Sequence, residues 1–169
     1  MIYGSARILS PRDRSIVTVA AFIARNQTIA MPHYFNEALG HHVKPSELSE
    51  IITHLAFYSG WPNALSAVAI ARDTFAQRRI VLEQLPAASP ELLPIDEAAE
   101  RKRATQVQQN FGSVASGIVQ YTRDLLFRDL WLRPALTPRD RSLVTVSALI
   151  ASGQVARSHI ISIEPWTAA

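Results

Sequence analysis

The stretch LSPRDRSIVTV, residues 9–19, decides the fold because it returns near the other end of the chain as LTPRDRSLVTV, residues 136–146. The match extends over residues 9–27 and 136–154. Roughly two thirds of these positions are identical, far above chance for so short a window. In both copies a Ser or Thr precedes a Pro, which is typical of an N-cap and the first residue of a helix. The repeat therefore predicts two equivalent helices, one from each of two related units.

The sequence flanking the two copies indicates which part of each unit is present. The first copy continues into a long body, whereas the second is preceded by residues 111–134 and followed by a short tail. We therefore divide the chain into the back part of one unit (1–84), a linker with a polar helix (85–110) and the front part of a second unit (111–169). We expect residues 121–134 to fold back onto the first unit, within the chain or on a neighbouring subunit by exchange. The second repeat helix, without downstream partners of its own, should expose an apolar face.

Helical periodicity dominates the remaining sequence. It predicts helices over residues 30–39, from 45 or 46 to 58, and over 63–79, 95–112 and 118–131. Gly60 and Pro62 mark the end of the second of these. The run LPAASPELLP, residues 85–94, carries three prolines and is the predicted linker. Because no stretch alternates convincingly enough to be a strand, the predicted fold class is all-α.

Composition excludes several classes of protein. Apolar residues make up 48% and charged residues 18% of the chain, as in globular proteins. The net charge of +3 is scattered, so no nucleic-acid surface is predicted. There is no cysteine, which excludes disulfides and thiol chemistry. The longest apolar run, residues 16–24, is too short to span a bilayer, and the N-terminus lacks the layout of a signal peptide. We expect a cytoplasmic protein.

The segment ELSEIITHLAFYSGWPNA, residues 47–64, contains the best candidates for chemistry. On a helix, Glu47, Glu50, His54 and Tyr58 are spaced by three, four and four residues and share one face. Two carboxylates, an imidazole and a phenol form an acid/base constellation, since a carboxylate one turn away raises the pKa of an imidazole. Alternatively, Glu50 and His54 form an ordinary ion pair and Tyr58 belongs to the core.

The longer sequence around these residues resembles a known family. LSPRDRSIVTVAAFIA followed by ALGHHVKPSELSEIITHLAFYSGWPNALSAV, residues 9–24 and 38–68, is similar to the carboxymuconolactone decarboxylase family. LLFRDLWLRPALTPRDRSLVTVSALIASGQ, residues 125–154, resembles the amino-terminal part of the same unit. The resemblance implies an all-α, alkylhydroperoxidase D-like helical bundle that assembles as trimers or hexamers, with sites near subunit contacts. The activity it implies is cofactor-free decarboxylation of a carboxylated muconolactone.

A second branch of this family consists of thiol reductases with a glutamate, a Cys-x-x-Cys pair and a histidine. Carried onto this chain, these positions fall on Ser15, Gln27, Ala30 and Tyr34. A disulfide-exchange mechanism needs two thiols, so peroxidase activity is excluded. Decarboxylases of the family usually keep the histidine, here Tyr34. The neighbouring His33 is not an automatic substitute, because one residue turns a helical side chain by about 100°.

Other residues are candidates for substrate binding. Arg12 and Arg14 are suited to hold the carboxylates of an acidic substrate, unless they form local ion pairs with Asp13. Tyr34 donates a hydrogen bond to a substrate carboxylate or is a buried aromatic. Trp61 forms a pocket wall or packs the end of a helix.

The sequence favours decarboxylase or lactone chemistry on a small carboxylated molecule by a homo-oligomer. In this hypothesis His54 is the acid/base group, Glu50 tunes it and Tyr58 donates a hydrogen bond. The alternative is a non-catalytic oligomeric protein that kept the fold for small-molecule binding or assembly. No cofactor is predicted, and no metal, because His41 and His42 lack carboxylates at matching spacing. The predicted substrate-binding residues are Arg12, Arg14, Tyr34, Glu47 and Trp61.

Overall fold

A computed structural model describes residues 9–154, and these residues form helices and loops without a strand. The predicted all-α class is confirmed. No helix among the described residues has the length and apolar character needed to cross a bilayer. Seven α-helices lie within this range: α1 (Pro11–Ala24), α2 (Met31–Gly40), α3 (Pro45–Ser59), α4 (Trp61–Gln77), α5 (Glu97–Phe111), α6 (Ser116–Tyr121) and α7 (Pro138–Ala151).

The two repeated helices, α1 and α7, begin in the same way and pack side by side. The side chains of Ser10 and Thr137 accept hydrogen bonds from the backbone N–H groups of Asp13 and Asp140, which satisfies donors that a helix start leaves unpaired. α7 packs more extensively against α1 than against any other helix. The helices are parallel, since ion pairs join their first turns and Arg25 near the end of α1 donates to the Ala151 carbonyl at the end of α7.

Helices α1 to α4 form the main core. Gly60 has a φ of 89°, a conformation that favours glycine, and it ends α3 and turns the chain into α4. Alanines on α4 allow α3 to approach closely. The large, fully buried apolar side chains of this core include residues of α1, α2 and α3 and one residue that lies two positions before α7: Ile16, Ile23, Met31, Phe35, Leu48, Ile51, Leu55 and Leu136.

The predicted helix over residues 118–131 is not continuous. α6 passes at Tyr121 into a π-helical turn (Thr122–Phe127), and a 3₁₀ turn (Leu130–Leu132) follows. Asp129, with φ −132° and ψ −76°, leaves the helical conformation between the two turns. The break directs Leu130, Trp131 and Leu132 into the protein, where all three are buried. A straight helix would turn consecutive side chains about 100° apart and would not bury all three.

The second part of the chain packs onto the first within the same molecule. α7 contacts α1 and α3, and Val144, Ala148 and Leu149 are buried there. The expected exposed apolar face of α7 is therefore limited: Ile150 is 59% exposed, whereas Val144 is fully buried. The predicted tail after residue 155 lies outside the described residues.

Candidate functional site

One face of α3 carries the predicted acid/base residues, as its spacing requires. Glu47, Glu50 and His54 are buried and Tyr58 is half-buried. Glu47 also fixes the start of the helix, because its carboxylate accepts a hydrogen bond of 2.7 Å from the backbone N–H of Lys44. The helical spacing thus places these four side chains along one face of α3. The packing of the other elements determines which groups each side chain contacts.

Glu50 meets two arginines from the second part of the chain. Arg141 donates from Nη2 at 2.8 Å, and Arg133 donates from Nε at 3.0 Å with its Nη2 at 2.9 Å from the carboxylate. Arg133 also donates to the backbone carbonyls of Ala87 and Ala88 in the linker. Burial lowers the pKa of Arg141, against the opposing effect of Glu50. The carboxylate is therefore enclosed by guanidinium groups and holds the linker in place through Arg133.

His54 is fully buried and both of its ring nitrogens contact protein groups. Nε2 lies 2.7 Å from Thr145 Oγ1, and Nδ1 lies 3.3 Å from Arg141 Nη1. A guanidinium can only donate, so Nδ1 must accept and Nε2 carries the proton. The Thr145 hydroxyl donates to the Arg141 carbonyl at 2.8 Å and is free to accept from Nε2. The imidazole of His54, the hydroxyl of Thr145 and the backbone carbonyl and guanidinium of Arg141 thus form a closed hydrogen-bond ring.

The pKa of His54 is lowered well below 6.5, mainly by burial and further by the charge of Arg141. The sequence had suggested the opposite, namely that Glu50 would raise the pKa of His54. The structure corrects this expectation, because the carboxylate of Glu50 is bound by Arg133 and Arg141. The imidazole is therefore neutral at pH 7.

Tyr58 completes the cluster together with Trp131. The indole Nε1 of Trp131 donates to the Tyr58 hydroxyl at 2.9 Å. His54 stacks on Tyr58 with 4.9 Å between ring centroids and meets Trp131 edge-on at 5.3 Å. Burial raises the pKa of Tyr58 to about 12. Tyr58 therefore keeps its proton at neutral pH and has a hydrogen-bond donor left.

The structure does not place the predicted carboxylate-binding arginines beside His54. Arg12 donates to Glu47 at 2.7 Å and to Asp140 at 2.8 Å. Arg14 is exposed and donates to the carbonyl of Leu9 at 2.7 Å. Among the described contacts, the arginines that reach His54 or Glu50 come from the second part of the chain.

The aromatic candidates lie apart from the cluster. Tyr34 is half-buried and stacks on Phe22 with 4.5 Å between ring centroids. Trp61, the first residue of α4, is 63% exposed and lies beside Phe57. Ser15, at the glutamate position of the thiol reductases, lies 2.9 Å from His41 Nδ1 through its hydroxyl.

Sequence reasoning missed four of the seven residues of the cluster. The missed residues share an origin in the front part of the second unit, where the repeat supplied a signal: Arg141 and Thr145 are the repeat equivalents of Arg14 and Thr18. The missed members are Trp131, Arg133, Arg141 and Thr145.

Comparison with protein families matches residues 2–73 to the carboxymuconolactone decarboxylase family. A search among curated proteins gave no match. The matched segment contains α1, α2, α3 and most of α4, and so includes the face with Glu50 and His54. The absence of cysteine agrees with the absence of the Cys-x-x-Cys motif of the thiol reductases. Residues 2–73 of the chain are therefore similar to the carboxymuconolactone decarboxylase family.

Proposed function

We propose that the chain is a non-catalytic member of its family that uses the fold as an assembly module. The closed hydrogen-bond ring of His54, Thr145 and Arg141 carries this proposal. A general base needs a lone pair directed at the substrate. The single lone pair of the neutral His54 ring, on Nδ1, faces Arg141, and its proton on Nε2 is held by Thr145. The imidazole is fully engaged by protein groups.

The charges of the cluster support the same conclusion. A decarboxylase for a small acid needs a cation that receives the substrate carboxylate. Arg133 and Arg141 share the carboxylate of Glu50. Arg133 also donates to the carbonyls of Ala87 and Ala88, and Arg141 donates to His54 and to the Arg133 carbonyl. These arginines therefore join the linker, the 3₁₀ turn and α7 to α3. In this role the cluster is a polar core that fixes how the two parts of the chain pack.

Decarboxylation of a small carboxylated molecule is the second candidate, and one observation favours it. Arg141 Nε is buried and has no hydrogen-bond partner among the described residues. Such a donor is costly to bury unpaired, and a substrate carboxylate would satisfy it. Tyr58, half-buried beside His54, would then supply a second donor. This function requires the cluster to open.

The first test is decarboxylation of 4-carboxymuconolactone, followed by loss of its absorbance, with wild type, His54→Gln and Tyr58→Phe compared. We expect no turnover by any of the three at matched circular dichroism spectra. Turnover by the wild type that is lost in His54→Gln, with the fold retained, would establish the decarboxylase instead. Turnover that survives both substitutions would also overturn the proposal and would place chemistry elsewhere.

Nitrogen NMR of the histidine rings tests the same proposal without a substrate. We expect His54 as the neutral Nε2–H tautomer, unchanged on addition of muconate or succinate. A carboxylate that shifts the His54 signals at millimolar concentration would indicate an accessible site and would favour the second candidate.

A further inference from the structure

A cavity of about 340 Å³ lies between α5 and the segment formed by α6 and the π-helical turn. This volume is at the small end of the range of about 300–1,000 Å³ that is typical of ligand sites. None of the described residues that line it belongs to the cluster around His54. We call it the α5 cavity; its charged residues are Glu100, Arg103 and Arg123, and its larger apolar residues are Val107, Val119 and Phe127.

Arg103 has unused hydrogen-bond donors at this cavity. Its Nη1 donates to the buried carboxylate of Glu100, and its guanidinium lies over the ring of Phe127, 4.0 Å from the ring centroid. A guanidinium has five N–H donors and no acceptor. Among the described residues, no group accepts a hydrogen bond from Nε or Nη2 of Arg103. Because Arg103 lines the cavity, an acceptor that enters it can bind these donors.

The charges around the cavity favour an anion. Arg103 and Arg123 line it together with a single carboxylate, that of Glu100. Asp124, the ion-pair partner of Arg123, is not among the lining residues. Arg123 uses Nε and Nη2 for that pair, and since both side chains are exposed to water, the pair is weak. Arg123 therefore has Nη1 available for a second acceptor.

The apolar part of the lining determines what must accompany the anionic group. Val107 of α5 and Val119 of α6 face the same space as Phe127. The Phe127 ring is held by Arg103 and by Trp131, on which it stacks with 6.0 Å between ring centroids. A ligand that covers these side chains gains from the burial of apolar surface. An acid without an apolar body would leave them uncovered.

We propose that the α5 cavity binds a small organic anion with an apolar body. The acidic group accepts hydrogen bonds from Arg103 and Arg123, and the body packs against Val107, Val119 and Phe127. Such a ligand also fixes α5, whose buried side chain is that of Glu100. The site is separate from the cluster around His54 and does not depend on whether that cluster is catalytic.

The test uses the intact chain and 2-naphthoate as the probe, with neutral 2-naphthamide as a ligand of the same shape. Isothermal titration calorimetry measures binding. We expect a Kd of about 1 mM or tighter for naphthoate and about tenfold weaker binding of the amide. Hydrogen exchange of Glu97–Phe111 is a second readout, because a ligand in the cavity should slow the exchange of α5.

Substitutions of the buried ion pair should have opposite effects. Arg103→Gln should weaken naphthoate binding by about tenfold, as for a charged hydrogen bond. Glu100→Gln removes the charge that competes for Arg103 and should tighten binding by about threefold or more. Damage to the fold would instead weaken binding in both variants. Arg101→Gln, at an exposed position of α5 outside the lining, is the matched control and should leave binding unchanged.

Three results would overturn the proposal. The first is the absence of naphthoate binding at millimolar concentration, or equal binding of naphthoate and naphthamide. The second is tighter binding of 2-naphthylmethylamine than of naphthoate, which would make Glu100 the recognition group and the ligand a cation. The third is binding that Tyr58→Phe abolishes and Arg103→Gln leaves unchanged, which would place the anion at the cluster around His54. None of these measurements uses decarboxylation, so this proposal and the proposed function fail separately.

Discussion

Histidine usually titrates near neutral pH, but the groups around His54 keep its imidazole uncharged. Burial removes the solvation of the charged form, and Arg141 adds a like charge 3.3 Å away. The helix spacing of Glu50, His54 and Tyr58 predicts a shared face, and the structure has it. Their partners were not predictable in the same way, because Arg141 and Arg14 have the same local sequence and the pairing of distant helices decides which of them reaches α3.

The neutral state of His54 predicts a pH dependence of stability. In the unfolded chain the imidazole takes up a proton below pH 6.5, whereas in the folded chain it does so at lower pH. The unfolded state then binds more protons, so the free energy of unfolding falls with decreasing pH, by up to about 1.4 kcal/mol per pH unit. Urea unfolding at pH 7.5, 6.5 and 5.5 measures this slope.

His54→Gln should remove the contribution of His54 to the pH dependence of the free energy of unfolding. His33→Gln, at a side chain that is 71% exposed, is the control and should leave that pH dependence unchanged. Arg139 is the main group that lowers the pKa of Asp13, from 3.8 to about 2. Protonation of Asp13 therefore lowers the free energy of unfolding only at more acidic pH, and it does not affect the slope measured between pH 7.5 and 5.5. An equal slope for wild type and His54→Gln would contradict the neutral, buried imidazole.

At the scale of elements, caps and periodicity predicted the helices well, because these signals are local. α1 and α7 begin at the proline that the sequence indicated, and α5 spans Glu97–Phe111. The break after the π-helical turn was missed because its cause is distant in sequence. Trp131 leaves the helix direction to reach Tyr58 and His54, more than 70 residues earlier. No pattern within residues 118–131 encodes that contact.

Because the 3₁₀ turn is buried, substitution of Trp131 should affect the free energy of unfolding much more than substitution of Trp61. Trp131→Ala removes a buried indole and its hydrogen bond to Tyr58, and should lower the free energy of unfolding by about 3–5 kcal/mol. Trp61→Ala, at an exposed position on α4, should change it by less than about 0.5 kcal/mol. Urea denaturation followed by circular dichroism measures both. Similar losses for the two variants would show that the turn does not dock as described.

At the scale of the molecule, the first four helices and α7 share one core, whereas α5 packs mainly against α6. Of the side chains on α5, Glu100 is the buried one, paired with Arg103. The division of the chain into residues 1–84, 85–110 and 111–169 stays a prediction, as do homo-oligomerisation and the small carboxylated partner. Composition and repeats indicate such features, but subunit number depends on surface complementarity that a sequence does not display.

This distribution of contacts predicts unequal local stability. Amide hydrogens of α5 should exchange about tenfold faster or more than those of α1 and α7, because few buried contacts oppose its opening. Hydrogen exchange with mass spectrometry of the intact chain, with peptides from Glu97–Phe111 and Pro138–Ala151 compared, measures the difference. Equal protection of α5 and α7 would mean that α5 belongs to the same cooperative unit as the core.

The parallel pairing of α1 and α7 has a consequence for concentration. Two separate units that met through these helices would associate according to the law of mass action and would separate on dilution. Here one chain carries both helices, so each helix experiences the other at a fixed effective concentration. The contact between α1 and α7 is therefore independent of protein concentration.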